Sequence, residues 1–196
     1  MTSTFPEISI STDRLVLRAL APEDVPALTD LMSDELVRTW TTVPSSYGVE
    51  DARSWVSLGA PAERAQGRGI VLAVHEFLTQ RLVGCIRLRR TDWRLRATEA
   101  TVVTGPWARG EGYAAEALLG VAHWLFEDQK FERLELRTAA GNTAAQMVAQ
   151  KIGCISEGVL RNAWIVRDGD AAGTVRSDLI VWSLIPEDLD GLAPNW

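Results

Sequence analysis

The chain has 196 residues, 21.5 kDa, 46% hydrophobic residues and a formal net charge of −6 with a pI near 5.0. That size and apolar content suit one domain spanning 1–196 with a sizeable core, expected over about 12–186. The acidic balance speaks against general nucleic-acid affinity, no run reaches membrane-span length, and no basic-then-apolar leader opens the chain.

A cytoplasmic protein with neither nucleic acid nor membrane as partner is therefore expected. The negative charge is compatible with a cationic substrate such as an amine. Cys85 and Cys154 sit in apolar settings and read as buried free thiols. They, His75 and His123 lack metal-ligand spacing, so no metal is expected. Of the eight tryptophans, most should fill the core and some line a pocket.

In chain order, residues 1–11 carry little pattern and read as a loose lead-in. Leu15 and Leu17 alternate with Arg14, Val16 and Arg18, which predicts a strand. Pro22-Glu-Asp opens a helix to about Met32, where a proline in the first turn loses no hydrogen bond. Between Ser33 and Val49, breakers such as Pro44 and Gly48 predict a long connection carrying Trp40 and Tyr47. Val49–Leu58 reads as a second helix, and Gly59–Gly69 as a polar, disordered loop. Ile70–Val74, Leu82–Leu88 and Thr98–Thr104 are strands. The arginines at 87, 89, 90, 94 and 96 read as a solvated strand edge and turn rather than a nucleic-acid patch.

The stretch from Gly105 to Phe126 organises the rest. A strand ends at Gly105-Pro106, and Gly110 and Gly112 precede a helix with Ala114, Ala117, Leu118, Val121 and Leu125 on one face. Glycines let the backbone approach a ligand, and the first N–H groups of a helix are unpartnered and electropositive. Such a turn seats a phosphate group. Gly110-Glu-Gly112-Tyr-Ala-Ala115 also fits a dinucleotide fingerprint, but it lies past mid-chain, and the strand Leu134–Arg137 ends in arginine rather than an acid. A tight turn without ligand is the third reading. Beyond it, Asn142 caps a helix to Lys151 with Gly153 at its end, and Val159–Val166 with Val175–Leu184 form a hairpin across Arg167–Gly173. The tail after Pro186 reads as a surface appendage.

Arg109-Gly-Glu-Gly-Tyr-Ala114 resembles the R/Q-x-x-G-x-G/A segment that wraps the pyrophosphate of coenzyme A in the Gcn5-related N-acetyltransferases. Glu99 through Glu116 is similar to the branch that acetylates N-terminal amines, including alanine, of ribosomal proteins. Thr12–Arg18, Gly141-Asn142-x-x-Ala145 to Lys151–Cys154, and Glu157–Asn162 followed by a strand with Asp178 match in the same order. The resemblance implies a mixed α/β acyl-CoA N-acyltransferase fold: a seven-stranded, mostly antiparallel sheet, splayed between its fourth and fifth strands, with helices on both faces.

It also implies the site. Pantetheine would lie beside Val102, Val103 and Thr104, amides of Gly110, Glu111, Gly112, Tyr113 and Ala114 would hold the pyrophosphate, and Arg109 would be its counter-charge. Asn142 would contact the pantetheine arm or a water as well as cap its helix, a dual role its amide group permits. Glu99 stands where this branch carries a base, its alternative being an exposed strand-end residue. The segment with Trp40 and Tyr47 would form an acceptor wall, and Asp178 would meet a substrate ammonium or else pair with Arg161 or Arg176. Many relatives carry a tyrosine acid where this chain has Ala149, so Tyr47, a serine or water would protonate the leaving thiolate. The expected activity is acetyl transfer from acetyl-CoA to a peptide N-terminal or small-molecule amine, in a monomer or homodimer. The alternatives are a non-catalytic acyl-CoA-binding or regulatory protein and, more distantly, a nicotinamide oxidoreductase.

Overall fold

A computed structural model describes residues 3–168 and 173–189. Their strands form one eight-stranded sheet. In chain order these are β1 (Ser9–Ser11), β2 (Leu15–Ala19), β3 (Ile70–Glu76), β4 (Leu82–Asp92), β5 (Ala97–Thr104), β6 (Arg133–Ala139), β7 (Ile155–Asp168) and β8 (Gly173–Leu184). Spatial order is β1-β2-β3-β4-β5-β6-β8-β7, and every neighbouring pair is antiparallel except β5 with β6. This mixed, mostly antiparallel sheet is not the doubly wound parallel sheet that a nicotinamide fold requires.

The strand count corrects the expectation of seven, because residues 9–11 pair with β2 instead of trailing as a loose lead-in. Phe5, only 1% exposed, anchors that segment by packing against Trp93, Trp124 and Phe131. One aromatic near a terminus carries no periodicity, so its burial left no pattern to read. The runs 70–74 of β3 and 82–86 of β4 are apolar and buried because both faces of the sheet are covered there.

One face is covered by α5 (Tyr113–His123) and α6 (Thr143–Lys151), with Leu15, Leu17, Leu72, Ile86, Leu118 and Leu125 in the intervening core. The other face is covered by α1 (Val25–Ser33), α3 (Val49–Ser54) and α4 (Ala60–Ala65), around Leu28, Ala52, Val56, Ala73 and Cys85. A short helix, α2 (Glu35–Trp40), lies inside the segment read as a long connection. Asp34 starts it by accepting the Val37 N–H at 3.1 Å.

The 59–69 segment is likewise not a loop. A π-helical turn at Trp55–Gly59 leads into α4, whose Pro61 falls in the first turn where proline is tolerated. Ala52, Val56, Ala60 and Glu63 are all buried, a helical period that Gly59 and Pro61 disguised. Both cysteines are buried and unpaired, and burial pushes each thiol up to about 12. The tail is corrected as far as Leu189, which packs into the core; residues 190–196 and the hairpin tip at 169–172 lie outside the described residues. Among the described residues no helix is long and apolar enough to cross a membrane.

Candidate active site

The parallel pairing of β5 with β6 is short. Ala97, Thr98, Glu99 and Ala100 face Arg133, Leu134, Glu135 and Leu136, and there the register ends. Thr101–Thr104 continue to pair with β4, and Arg137–Ala139 with β8, so the two strands diverge into a slot open at the end of β5. This is the splay expected between fourth and fifth strands, moved to the fifth and sixth by the extra β1. Thr101 through Thr104 are half-buried along it.

Just past that strand end, Gly110 and Gly112 adopt φ of +83° and +82°, which L side chains rarely tolerate. The turn aims its backbone outward. The first helical donor with a protein acceptor is Glu116, whose N–H bonds the Gly112 carbonyl at 3.1 Å. Among the described residues no N–H from Arg109 through Ala115 has a protein acceptor. Unpaired backbone donors at a helix N-terminus are the physical requirement for an anion seat. A Cβ built on Gly112 would lie 3.1 Å from Lys151 Nζ and 3.7 Å from Arg14 Nη2, so two cations flank the turn.

Arg109 does not supply that charge. Its guanidinium turns the other way, paired with Asp34 (Nη1–Oδ2 3.4 Å, with a closer Nη2–Oδ1 contact) and donating to the Thr104 carbonyl at 3.3 Å. Burial works against ionisation of Asp34, but the hydrogen bonds from Arg109 and from the backbone at Val37 and Leu36, with the charge of Arg109, together outweigh it and hold that carboxyl below its usual range. Arg109 therefore ties the end of β5 to the α1–α2 junction. Sequence reasoning passed over Lys151 and Arg14 because both are remote from the glycine turn in the chain. Arg14 also bonds Glu116 and the Glu111 carbonyl, the latter at 3.1 Å, and stacks 4.6 Å above the Tyr113 ring. Tyr113 itself is buried, donating through its hydroxyl to Glu76 at 3.0 Å. Ala114 is only half-buried at the turn, while Ala115 and Ala117 pack inward.

Asn142 caps α6 as expected, its Oδ1 accepting the Ala145 N–H at 3.1 Å. The neighbouring Gly141 leaves room for Trp40, whose Cη2 lies 3.3 Å from a Cβ built there. Trp40 thus reaches the loop at the slot's open end. Tyr47 packs in the cluster that contains Cys85 and Val103, on the face opposite α5. Burial, with smaller help from Asp51 and Cys85, pushes its phenol up to about 12. Ala149 is fully buried, so that position contributes packing alone.

One of the two expectations held for Glu99 fails. The residue is 3% exposed, not a strand-end surface residue. A β-bulge between Arg89 and Asp92, with Arg90 at φ +51°, directs consecutive arginines to the same carboxylate. Arg89 Nε donates to Oε1 at 2.8 Å, Arg90 Nη1 donates to Oε2 at 3.1 Å, and Arg137 Nε lies 3.7 Å from Oε2. Both carboxylate oxygens are thus engaged by guanidinium groups. Arg87 is clasped in turn by Glu63, at 3.0 and 3.2 Å from Nε. Arg87, Arg89 and Arg90 are thus ion-paired on a central strand, Arg90 with its side chain 58% exposed, while Arg94 and Arg96 lie exposed in the turn after it, as read from the sequence.

Asp178 pairs with neither Arg161 nor Arg176. Its Oδ1 accepts the Asn162 N–H at 2.6 Å, supporting a bulge in β7 where Asn162 has φ +57°. His75 is buried away from the slot, its Nε2 2.9 Å from Asp24 Oδ1. Burial opposes ionisation of Asp24, but hydrogen bonds from His75 and Arg18 prevail and keep it well below the carboxylate range. Where α2 meets β7, Arg167 bonds the Val43 carbonyl, while Arg38 Nε and Arg167 Nη1 are buried without a protein partner. Among the described residues no group of histidines, cysteines and carboxylates could hold a metal.

The Acetyltransferase (GNAT) domain family model matches residues 14–155, more than half the chain. The uncharacterized N-acetyltransferase YoaA of Bacillus subtilis (strain 168) is 26% identical over 152 residues, 78% of this chain and 85% of that protein. The ribosomal-protein-S5-alanine acetyltransferase of Vibrio fischeri has a TM-score of 0.76 at 15% identity, covering 93% of this chain and 98% of that one. The spermidine N-acetyltransferase of Vibrio cholerae, solved with CoA and spermine, has a TM-score of 0.75 at 16% identity, covering 89% and 96%. At such identities the structures speak for the fold alone, whereas the family match spans the slot, the glycine turn and α6 together. The chain belongs to the GNAT acetyltransferase family and is an acetyltransferase.

Proposed function

We propose that the protein transfers an acetyl group from acetyl-CoA to a primary amine, either the N-terminal amine of a peptide or a small-molecule amine, within a ternary complex. The observation that carries this is the run of unpartnered N–H groups from Arg109 to Ala115 beside a slot in the sheet. The amides at 110–114 hold the pyrophosphate, with Lys151 and Arg14 as counter-charge. The free edge of β5 at Val102, Val103 and Thr104 accepts the amide-bearing pantetheine arm as a strand would accept its neighbour. Asn142 stands at the slot's mouth with donors to spare beyond its cap.

When bound, acetyl-CoA supplies a thioester carbonyl for the amine to attack and a thiolate to leave. Rate acceleration rests first on fixing the two reactants in the slot. Tyr47, protonated at neutral pH, is the group in this chain suited to donate a proton to the leaving sulfur. The amine's proton passes to water, since Glu99 is held by three arginines and acts to fix the floor of the acceptor side.

Titration calorimetry against acetyl-CoA, followed by thiol release with a panel of amines and short peptides, tests the proposal. Binding with turnover supports it; tight NAD binding without acetyl-CoA binding overturns it. A second reading, a non-catalytic acyl-CoA binder, is favoured by the buried Ala149 and the sequestered Glu99. Tight acetyl-CoA binding with no thiol release from any amine would establish that instead.

A further inference from the structure

The register of β4 with β5 orders the face opposite α5. Val103, Thr101 and Glu99 alternate on it, opposite Cys85, Arg87 and Arg89. Val103 and Tyr47 mark the end where the thioester lies in the proposed function, on which this inference rests. Glu99 and Arg89 lie four residues away, about 13 Å along the strand.

At that far end an open cavity of about 470 Å³ is lined by Trp55, Arg68, Arg87, Arg89 and Arg90. Two carboxylates meet these four guanidinium groups: Glu63 with Arg87, and Glu99 with Arg89 and Arg90. Arg68 is exposed and has no ion pair among the described residues, and Arg90 is 58% exposed. The cavity therefore has a local excess of positive charge in a chain of net charge −6. Sequence-wide acidity suggested a cationic acceptor; the residues facing this cavity say the reverse. Guanidinium groups recognise carboxylate and phosphate through paired N–H donors, and a polycation placed there would be repelled.

We propose that this cavity seats an anionic group of the acceptor, and that the acceptor is the N-terminal amine of a peptide bearing acidic side chains at its third and fourth residues. An extended peptide advances about 3.3 Å per residue. With its amine at Val103, its third residue lies about 7 Å along, level with Arg87. Its fourth lies about 10 Å along, from where an acidic side chain extends to Arg89 and Arg90. Trp55 forms one wall, its ring covered by Arg87 at 5.0 Å.

Thiol release at saturating acetyl-CoA is measured with the pentapeptide amides Ala-Ala-Glu-Glu-Ala, Ala-Ala-Gln-Gln-Ala and Ala-Ala-Lys-Lys-Ala, with the Glu peptide carrying phosphoserine in place of glutamate, and with 6-aminohexanoate and spermidine. The expected kcat/KM is about tenfold higher for Glu than Gln peptide, equal to about 1.4 kcal/mol, with spermidine lowest. In the Arg68→Gln/Arg90→Gln variant that ratio should fall towards one while calorimetric acetyl-CoA affinity stays unchanged. Should the double variant misfold, Arg68→Ala, which removes an exposed side chain with no ion pair, should reduce the ratio about threefold. A 6-aminohexanoate rate above that of the Glu peptide overturns the peptide assignment. Preference for spermidine or the Lys peptide, or an acidic preference unmoved in both variants, overturns the proposal while leaving cofactor binding intact. No acetyl-CoA binding at all overturns it together with the reading beneath it.

Discussion

The two sides of β5 solve opposite problems. On the α5 side, the glycine turn leaves a row of backbone N–H groups without protein partners, a seat completed by a ligand. On the α1–α4 side, side chains of opposite sign are already locked together, with Glu99 beneath three arginines. One side is unfinished polar backbone and the other is paired charge with guanidinium to spare at its rim. A substitution should therefore affect cofactor binding on the first side and, at the buried pairs, folding on the second.

The sharpest break of that contrast is Glu99→Gln. Removing one partner of a buried ion cluster costs about 3–5 kcal/mol, which for a chain of this size lowers Tm by roughly 6–20 °C. Differential scanning calorimetry should show that drop, with little change in acetyl-CoA affinity. A stable variant whose rate falls and whose pH–rate profile loses its acid limb would instead restore Glu99 as the base. Gly112→Val comes next: its positive φ and the nearby Lys151 ammonium should cost on the order of a hundredfold in acetyl-CoA affinity, about 2.7 kcal/mol. Unchanged calorimetric affinity in the folded variant would remove the pyrophosphate from this turn.

Tyr47→Phe should lower kcat roughly a hundredfold at pH 7 and leave the KM for acetyl-CoA near its original value, since a proton-donor contribution of about a hundredfold to ten-thousandfold is the usual range. Lys151→Ala should weaken acetyl-CoA binding by only about threefold to fivefold, an effect that shrinks in high salt because this exposed cation acts through screened attraction. The smallest effect is on acid stability. Asp24 and Asp34 have folded pKa values below their unfolded ones, so their contribution is complete above about pH 4 and is lost as pH falls through the folded values. Tm should be flat from pH 5 to 7 and decline below pH 4, with Asp34→Asn flattening part of that decline.

What could be read in the chain follows the same division. Gly110, Gly112, the Asn142 cap and the strand ending at Thr104 act through the backbone, and backbone behaviour is written locally in residue type. The orientation of Arg109, the Arg89–Arg90 bulge under Glu99 and the arrival of Lys151 at Gly112 depend on residues far apart in sequence. No local period encodes them. α4 was missed because Gly59 and Pro61 imitate a loop, and β1 because three residues are too few to show alternation. Phe5 shows the limit most plainly, since a single ring fixes the whole N-terminal segment.

The four-residue contact between β5 and β6 has a mechanical consequence. It is the one seam between a five-stranded and a three-stranded portion of the sheet, and it is stitched over half of its available length. A ligand lying in the unstitched half would act as a short extra strand bridging the two portions. Occupancy should then be visible far from the slot, as slower amide exchange in β8 as well as β5, so that loading the enzyme hardens the sheet across its whole width.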